Sequence, residues 1–530
     1  MGQMSKTFSE LRGKVNKYCK KYKNPVVVYI KMIGYCIGEI IKVKKALKTD
    51  KNDNTLNISI SATGGVGDIL YRAVWLKEFS KRLKDHYKIN LFILNKSKVE
   101  LTKSIFYNNS YISNVLYSDH LPKNGYDLAI NMGILPQVEY MNEEKILNYS
   151  KDLYELLKKY VDFEEKYFDF FQAEIESYCD RLLLFAINNN KKLVQLADID
   201  NLLEIKSDVG NGLCINPKYF GVLDKLQLKN LKYITFVYDV DSTSNLNNNV
   251  RLWPLDYFKT LICKIKENYP NIKMVQIGTG RSPLIPETDI DLRGKTNFDE
   301  VKVVLKNSIL HIDGECGMVH LKHYLNGQSA VLFGQTSVEL KGYDNNINLK
   351  SNACPHWCEW IVNDWQTHCI RGFKEPPCMT ELKPDYVFEQ IRPLLNEKLN
   401  KPEKTVNTVS VTDIGEYFKS NHFENSKIVF FGKEFFDVAK TLSKNNSVKI
   451  FDYDLDWQIL DEAKKSNIEV DYADIYNIPV FDDDCDVVVS KNLSGYENPE
   501  YAQKELSRIL KDNKTLLLKT ETLINDKSRL

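Results

Sequence analysis

Residues Asp289–Ser337 read DIDLRGKTNFDEVKVVLKNSILHIDGECGMVHLKHYLNGQSAVLFGQTS. Within them Ser308–Ile312 is a short apolar run that predicts a buried strand. It stops in a turn-like cluster, Asp313-Gly314-Glu315-Cys316-Gly317. Met318–Leu325 has the pattern of a helix closed by Asn326-Gly327, and Ser329–Phe333 predicts a second buried strand, ended by Gly334. Strand, loop, helix and strand form the repeating unit of a parallel α/β sheet. Open sheets of this kind bind ligands at the carboxyl ends of their strands. The helix start at Gly317–His320 offers backbone N–H groups and the positive end of a dipole, which suits an anion such as a phosphate. Gly317 has no side chain to obstruct a close approach.

The same pattern extends in both directions. Upstream, Tyr233–Tyr238 (YITFVY) predicts a strand, followed by a polar loop, Asp239–Asn249. Then Arg251-Leu252-Trp253-Pro254-Leu255 leads into a helix over Asp256–Asn268. Lys273–Ile277 (KMVQI) predicts a strand ending in Gly278-Thr279-Gly280-Arg281, and Lys295 and Thr296 fall on a loop at the same edge. The first half opens with a strand at Leu56–Ala62, the turn Thr63-Gly64-Gly65-Val66-Gly67-Asp68 and a helix over Ile69–Leu83. Strands are expected at Asn90–Leu94, Ile112–Leu116 and Asp127–Ile130. Glu139–Leu193 reads as helical and is expected to cover the acceptor side of a cleft or a protomer contact. Asp68 has two readings: a cap for the first helical turn, or a carboxylate held ionised by the dipole and able to take a proton.

DLRGKT, DGECGMVHL and VLFGQTS together resemble the donor-binding half of glycosyltransferase family 9, the ADP-heptose heptosyltransferases of bacterial surface polysaccharides. The resemblance covers Asn57–Leu395. It implies a GT-B fold: two Rossmann-like α/β domains facing a cleft, here 51–225 on the acceptor side and 226–395 on the donor side. It also implies a nucleotide-sugar donor held by Arg251, Gly278, Lys295, Thr296, Glu315, Gly317, Met318 and His320. Gly67-Asp68 matches the family's opening turn, which makes Asp68 the base of an inverting transfer that needs no metal. The expected acceptor is a glycan, lipid-linked or otherwise, or a protein hydroxyl, as in lipopolysaccharide biosynthesis or protein glycosylation.

The whole chain has 530 residues and a net charge of +1, with 43% hydrophobic and 27% charged residues. Its length predicts about three domains, and its balanced charge argues against a nucleic-acid partner. Residues 1–50 carry twelve Lys/Arg against three Asp/Glu, with Tyr18, Tyr22, Tyr29 and Tyr35 interleaved. That segment reads as a basic helical stretch, either packed on the body or touching an anionic membrane surface. The most apolar early run, Val26–Gly38, is broken by Lys31 and too short to span a bilayer. The expected setting is cytoplasmic, on the inner membrane face, with a homo-oligomer anticipated.

Eleven cysteines, an odd number, suit a reducing compartment. Four of them, Cys354, Cys358, Cys369 and Cys378, fall close together, where four thiolates can surround one tetrahedral zinc or iron ion. Reactive free thiols and two disulfides are the competing readings, and His356 or His368 can stand in for a thiol. The cluster resembles, in position and ligand count, the four-cysteine iron-binding finger of autotransporter heptosyltransferases, which implies a structural ion that pins a loop.

Beyond a helix at Glu381–Leu395 and a polar linker, residues 405–530 predict strands at Lys427–Gly432, Val448–Asp454, Cys485–Ser490 and Thr515–Lys519, with a helix at Tyr501–Leu510. This order resembles a class I methyltransferase. The loop after its first strand, Phe431-Gly432-Lys433-Glu434-Phe435-Phe436, has one glycine and crowding aromatics, which argues against S-adenosylmethionine binding. Asp452, Asp454 and Asp474 stand where acidic ligand contacts would lie. The expectation is a degenerate module for docking or stability. A methyltransferase with a glycan-binding front half and a non-catalytic, metal-pinned assembly protein are the alternatives to sugar transfer.

Overall fold

The computed structural model describes residues 55–171, 180–238, 249–362, 364–402, 404–466 and 468–520. The basic segment 1–50 and nearly all of the polar loop 239–249 lie outside them.

The first α/β layer comprises β1 (Leu56–Ala62), α1 (Val66–Ser80), β2 (Tyr87–Ile93), α2 (Val99–Ile105), β3 (Asn114–Tyr117), β4 (Leu128–Met132) and β5 (Pro136–Met141). Its strand order is β3-β2-β1-β4-β5, with only β5 antiparallel to its neighbour. The helical reading that began at Glu139 is therefore corrected: Glu139–Met141 ends an edge strand. Pro136 at its first position leaves the ladder intact there, and Glu139 is an extra residue between Val138, opposite Ile130, and Tyr140, opposite Ala129. Helices α3 (Glu143–Tyr149), α4 (Lys151–Phe171) and α5 (Asp180–Asn188) follow.

A crossover leads through α6 (Val222–Lys225) into the second sheet. This comprises β6 (Lys232–Phe236), α7 (Leu255–Asn268), β7 (Ile272–Gln276), β8 (Ile290–Asp291), α8 (Phe298–Asn307), β9 (Leu310–Gly314), α9 (Gly317–Tyr324), β10 (Ser329–Phe333), α10 (Val338–Lys341) and β11 (Ile347–Lys350). All its pairings are parallel, in the order β11-β10-β9-β6-β7-β8. Such strands are covered on both faces, which is why β10, SAVLF, is buried at every position. α11 (Pro377–Thr380) and α12 (Pro384–Asn400) close this part.

A third sheet has the order β12-β17-β16-β13-β14-β15, again all parallel. Its elements are β12 (Val406–Val411), α13 (Ile414–Ser420), β13 (Lys427–Phe431), α14 (Phe436–Leu442), β14 (Ser447–Asp452), α15 (Trp457–Ser466), β15 (Glu469–Tyr472), β16 (Cys485–Lys491), α16 (Pro499–Ile509) and β17 (Leu510–Lys519).

The fold is α/β: two Rossmann-like sheets in the GT-B arrangement, plus a smaller α/β module. That module does not hang from a linker. One apolar core runs continuously from Ile60 and Val74 through Leu213 and Phe220 to Ile478 and Leu506. Phe220 of the crossover stacks on Tyr501, with centroids 3.9 Å apart and planes at 6°. Burial of each large apolar side chain in this seam contributes about 1.5–3 kcal/mol. No helix among the described residues is long and apolar enough to cross a membrane.

Candidate functional site

The two glycine turns that stood out in the sequence meet in space. The turn after β1 feeds α1, and the turn after β9 feeds α9. A Cβ built on Gly67 would lie 2.7 Å from Cδ2 of His320, and one on Gly317 would lie 2.8 Å from Cβ of Val66 and 3.1 Å from the Gly67 nitrogen. Both positions therefore need glycine for the close approach itself. Two positive helix ends are thus pressed together across the boundary between the first and second sheets.

Asp68 sits half-buried in the first turn of α1. Its Oδ2 accepts from the Gly65 N–H at 2.7 Å and its Oδ1 from the Tyr71 hydroxyl at 3.4 Å. The capping geometry is real, and the same bonds fix where the carboxylate points. Arg72, buried beside it, donates to the Thr63 carbonyl and holds the turn shut.

Across the seam, Glu315 is almost fully buried and its carboxylate gathers three basic groups. His320 Nε2 is 3.0 Å from Oε1, Lys341 Nζ is 3.6 Å from Oε2, and an Arg251 nitrogen is 3.7 Å from Oε2. Burial by itself would raise the acid, but Lys341, His320 and Arg251 outweigh it and hold the carboxyl well below the usual range. With Glu315 accepting at Nε2, that nitrogen carries a proton. Nδ1 lies 2.8 Å from the Tyr343 hydroxyl, whose own pKa burial pushes up.

Arg251 also donates to the Glu315 backbone carbonyl at 2.7 Å, and its guanidinium lies 5.0 Å from the ring centre of Trp365. Lys341 is paired on its far side with Glu359, which follows Cys358 directly. The cysteine loop is therefore part of the wall of this site. It is stitched there by Cys358 N–H to the Gln335 carbonyl (2.8 Å) and Val250 N–H to the Gln366 carbonyl (3.1 Å).

Gly278, Lys295 and Thr296 form a second group on the same carboxyl edge, along β7 and β8. Gly278 has φ +136° and Gly294 has φ +65°, and the Gly294 N–H donates to the Gly278 carbonyl at 2.9 Å. Lys295 is exposed and turns back to the Asp291 carbonyl at 2.7 Å. Met318 lies half-buried in the first turn of α9. The structure thus joins Asp68, Arg251, Glu315, Gly317, Met318 and His320 around one seam and leaves Gly278, Lys295 and Thr296 beside it.

Sequence reasoning missed Tyr71, Lys341, Tyr343, Glu359 and Trp365. The available signal for the last two was the aromatic density of Trp357–Trp365, high for a loop. It also missed a buried polar chain behind the α9 start. Cys316 Sγ is 2.8 Å from Asp313 Oδ2, His311 Nε2 is 3.3 Å from the same atom, and His311 Nδ1 is 3.1 Å from Thr235 Oγ1.

Cys354, Cys358, Cys369 and Cys378 lie within electrostatic reach of one another, and none is in a disulfide. Burial, then Cys354 and Cys369, pushes the Cys358 thiol up to about 11. Burial, then the other three thiols, pushes Cys378 up to about 12. Among the described residues no group of three or more His, Cys, Asp or Glu side chains is arranged to hold a metal ion. The expected four-ligand shell is here a loose cluster of thiols. His356 and His368 are exposed.

In the third module the acids expected at a ligand are used by the protein itself. Asp452 accepts from the Lys433 N–H at 2.7 Å and from the Asp454 N–H at 3.0 Å. Asp454 pairs with Lys433 at 3.3 Å. Asp474 is buried and accepts from the Ile215 N–H of the crossover at 2.8 Å and from Tyr476 N–H at 3.2 Å. The turn after β13 is filled by its own Glu434, 2.8 Å from a Cβ built on Gly432.

No protein-family profile matches the chain, and no curated protein does. Among solved structures, ADP-heptose lipopolysaccharide heptosyltransferase II of Escherichia coli matches 65% of this chain and all of its own, at 12% identity and TM-score 0.41. The dodecameric iron-containing heptosyltransferase TibC of enterotoxigenic Escherichia coli, seen with its ADP-heptose, matches 67% of this chain and 80% of its own, at 12% identity and TM-score 0.42. An S-adenosylmethionine-dependent methyltransferase-like protein of Methanococcus maripaludis matches 19% of this chain and 51% of its own, at 21% identity and TM-score 0.17. Likeness at this level carries no residue role to this chain.

Proposed function

We propose that the protein is an inverting glycosyltransferase. It moves a heptose-like sugar from a nucleoside diphosphate donor, ADP-heptose foremost, to a hydroxyl of a bacterial surface glycan or of a protein. The observation that carries this reading is the convergence of two helix starts at Gly67 and Gly317, beside Arg251 and the Asp68 carboxylate. Two positive dipole ends held together repel, and an anion bound alongside both relieves the repulsion. A diphosphate has that charge, and an arginine fork matches its oxygens.

In the proposed reaction Asp68 takes the proton of the acceptor hydroxyl. The acceptor oxygen forms its bond to the anomeric carbon as the bond from that carbon to the diphosphate oxygen breaks, and the electron pair leaves with the diphosphate. A single displacement inverts the anomeric centre. The helix ends and Arg251 stabilise charge where it develops, without reorganising. Glu315, kept ionised, holds His320, Lys341 and Arg251 in one arrangement. The Gly65 N–H bond fixes where the Asp68 carboxylate points.

The four cysteines are proposed to hold structural zinc or iron, because thiolates are soft ligands suited to either. When bound, the ion would supply a cross-link in the loop that carries Glu359 and Trp365.

Calorimetric titration with ADP-heptose, and with GDP- and UDP-sugars and S-adenosylmethionine as comparators, tests the donor class. Asp68→Asn is expected to abolish transfer while donor binding survives. An active Asp68→Asn enzyme refutes the base assignment, and binding of S-adenosylmethionine alone refutes the reading as a whole.

A further inference from the structure

The helices that meet at their N-termini are also held at their other ends, and by one segment of the third module. Asp471, at the end of β15, receives Lys77 of α1 at 2.7 and 2.5 Å and Lys81 at 2.8 Å. Lys77 is fully buried. Six residues on, Asn477 is buried and uses all of its bonding capacity. Its Nδ2 donates to the Tyr324 carbonyl at 2.8 Å and to the Leu213 carbonyl of the crossover at 2.9 Å. Its Oδ1 accepts from Asn326 at 2.9 Å and from Lys306 of α8 at 3.1 Å. Asn326, at φ +60°, follows α9 and donates a second bond to the Ile478 carbonyl at 2.8 Å.

Tyr324 O is a last-turn carbonyl of α9 and has no partner within its own helix. Asn477 supplies that partner from another domain. Gly317 lies seven residues before Tyr324, and Gly67 lies ten before Lys77. At 1.5 Å per residue, the grip sits roughly 10–15 Å along two short, stiff helices from the Gly67–Gly317 contact.

We propose that Asp471–Ile478 is a brace: by holding the C-terminal ends of α1 and α9 together, it sets the spacing and angle of their N-terminal ends. Asp471 and Asn477 are then positioning residues for the site formed by Asp68, Glu315 and His320. Two of the module's acids, Asp471 and Asp474, are spent on this docking. The consequence for catalysis rests on the proposed sugar transfer; the mechanical coupling does not.

The test is amide hydrogen exchange on the full-length protein with Asn477→Ala, and with Asn326→Gly, which keeps the positive φ while deleting the bonds. Exchange at 65–68 and 316–320 is expected to rise by at least about tenfold, while amides of β13 and β14 keep their rates, which excludes global unfolding. If the reaction is the one proposed, kcat falls on the order of 10²-fold for about 1 Å of misplacement. Faster exchange confined to 205–215, 324–327 and 471–480 overturns the brace. If both variants show the expected exchange but the wild type turns over no nucleotide sugar, the brace stands and the assigned reaction falls. Should Asn477→Ala fail to fold, Asn326→Gly decides alone.

Discussion

Gly317→Ala should separate function from stability at this seam. A methyl group there would lie 2.8 Å from Val66 Cβ and 3.1 Å from the Gly67 nitrogen. Carbon atoms in contact sit about 3.5–4.0 Å apart, so α9 and the α1 turn must part by about 1 Å. The Gly67 nitrogen is backbone and cannot rotate away. Overpacking of this kind costs about 1–3 kcal/mol. Alanine regains up to about 1 kcal/mol over glycine within a helix, so the net loss is about 1 kcal/mol. The same displacement moves Glu315 and His320 away from Asp68, and misplacement by about 1 Å costs about 10² in rate. Denaturant unfolding and calorimetric titration with a nucleotide sugar should therefore diverge: a small shift in midpoint and a large loss of binding and turnover. Gly221→Ala, where a Cβ would meet nothing within 4 Å, is the control. If Gly317→Ala matches that control in binding and turnover, the close approach of the two turns has no bearing on the site.

Lys77→Met leaves the buried Asp471 with Lys81 as its remaining cation, and should destabilise the protein in equilibrium unfolding by less than the about 3–5 kcal/mol that a wholly unpaired buried charge costs. Burial opposes ionisation of Asp471, yet Lys77 and Lys81 lower it from 3.8 to about 2. A lowered folded pKa gives stability that is fully present above the unfolded value and disappears as pH falls through the folded one. The stability gap between wild type and Asp471→Asn should thus shrink by about 2 kcal/mol between pH 4 and pH 2; a gap that does not change with pH contradicts the pairing. Trp365→Ala removes the surface on which Arg251 rests and should weaken nucleotide-sugar binding by about 1 kcal/mol, read by calorimetry. Protein purified anaerobically should contain zinc or iron, and a chelator should increase thiol alkylation at residues 354–378; metal-free protein with unchanged alkylation would remove the metal proposal.

Much of the fold could be read from local pattern. The apolar runs at Leu56–Ala62 and Ser329–Phe333 are strands at those limits, since strands buried on both faces need continuous apolar sequence. The strands that escaped notice, β5, β8, β11, β12 and β15, are all edge strands, where exposed polar residues dilute the pattern. At the site, glycine and acid motifs located the turns after β1 and β9, because those turns need particular residues. The sequence could not show that Lys341, Tyr343, Glu359 and Trp365 would surround Glu315. Those contacts come from packing of distant segments, and each residue type is common at an ordinary surface.

The third module was hardest to read for the same reason. Lysine is seldom buried, so Lys77 and Lys302 look like exposed helical positions, yet both are fully enclosed. Lys302 marks a different seam, between α8 and the first layer: it donates to the Ser104 carbonyl at 2.8 Å and the Cys214 carbonyl at 3.0 Å, and pairs with Asp299 at 2.9 Å. Desolvating such ammonium groups costs several kcal/mol each, so apolar contacts such as Phe220 on Tyr501 must hold the seam closed. The lysines contribute direction: each finds its acceptors in only one docking register. Stability and geometry separate in a single variant. Lys77→Met/Asp471→Leu removes both charges together, so stability should return to within about 1–2 kcal/mol of wild type. Yet amide protection at 65–68 should stay low, because an apolar pair permits small rotations that the ion pair forbids. Recovery of both quantities together would mean that burial alone sets the geometry of the seam.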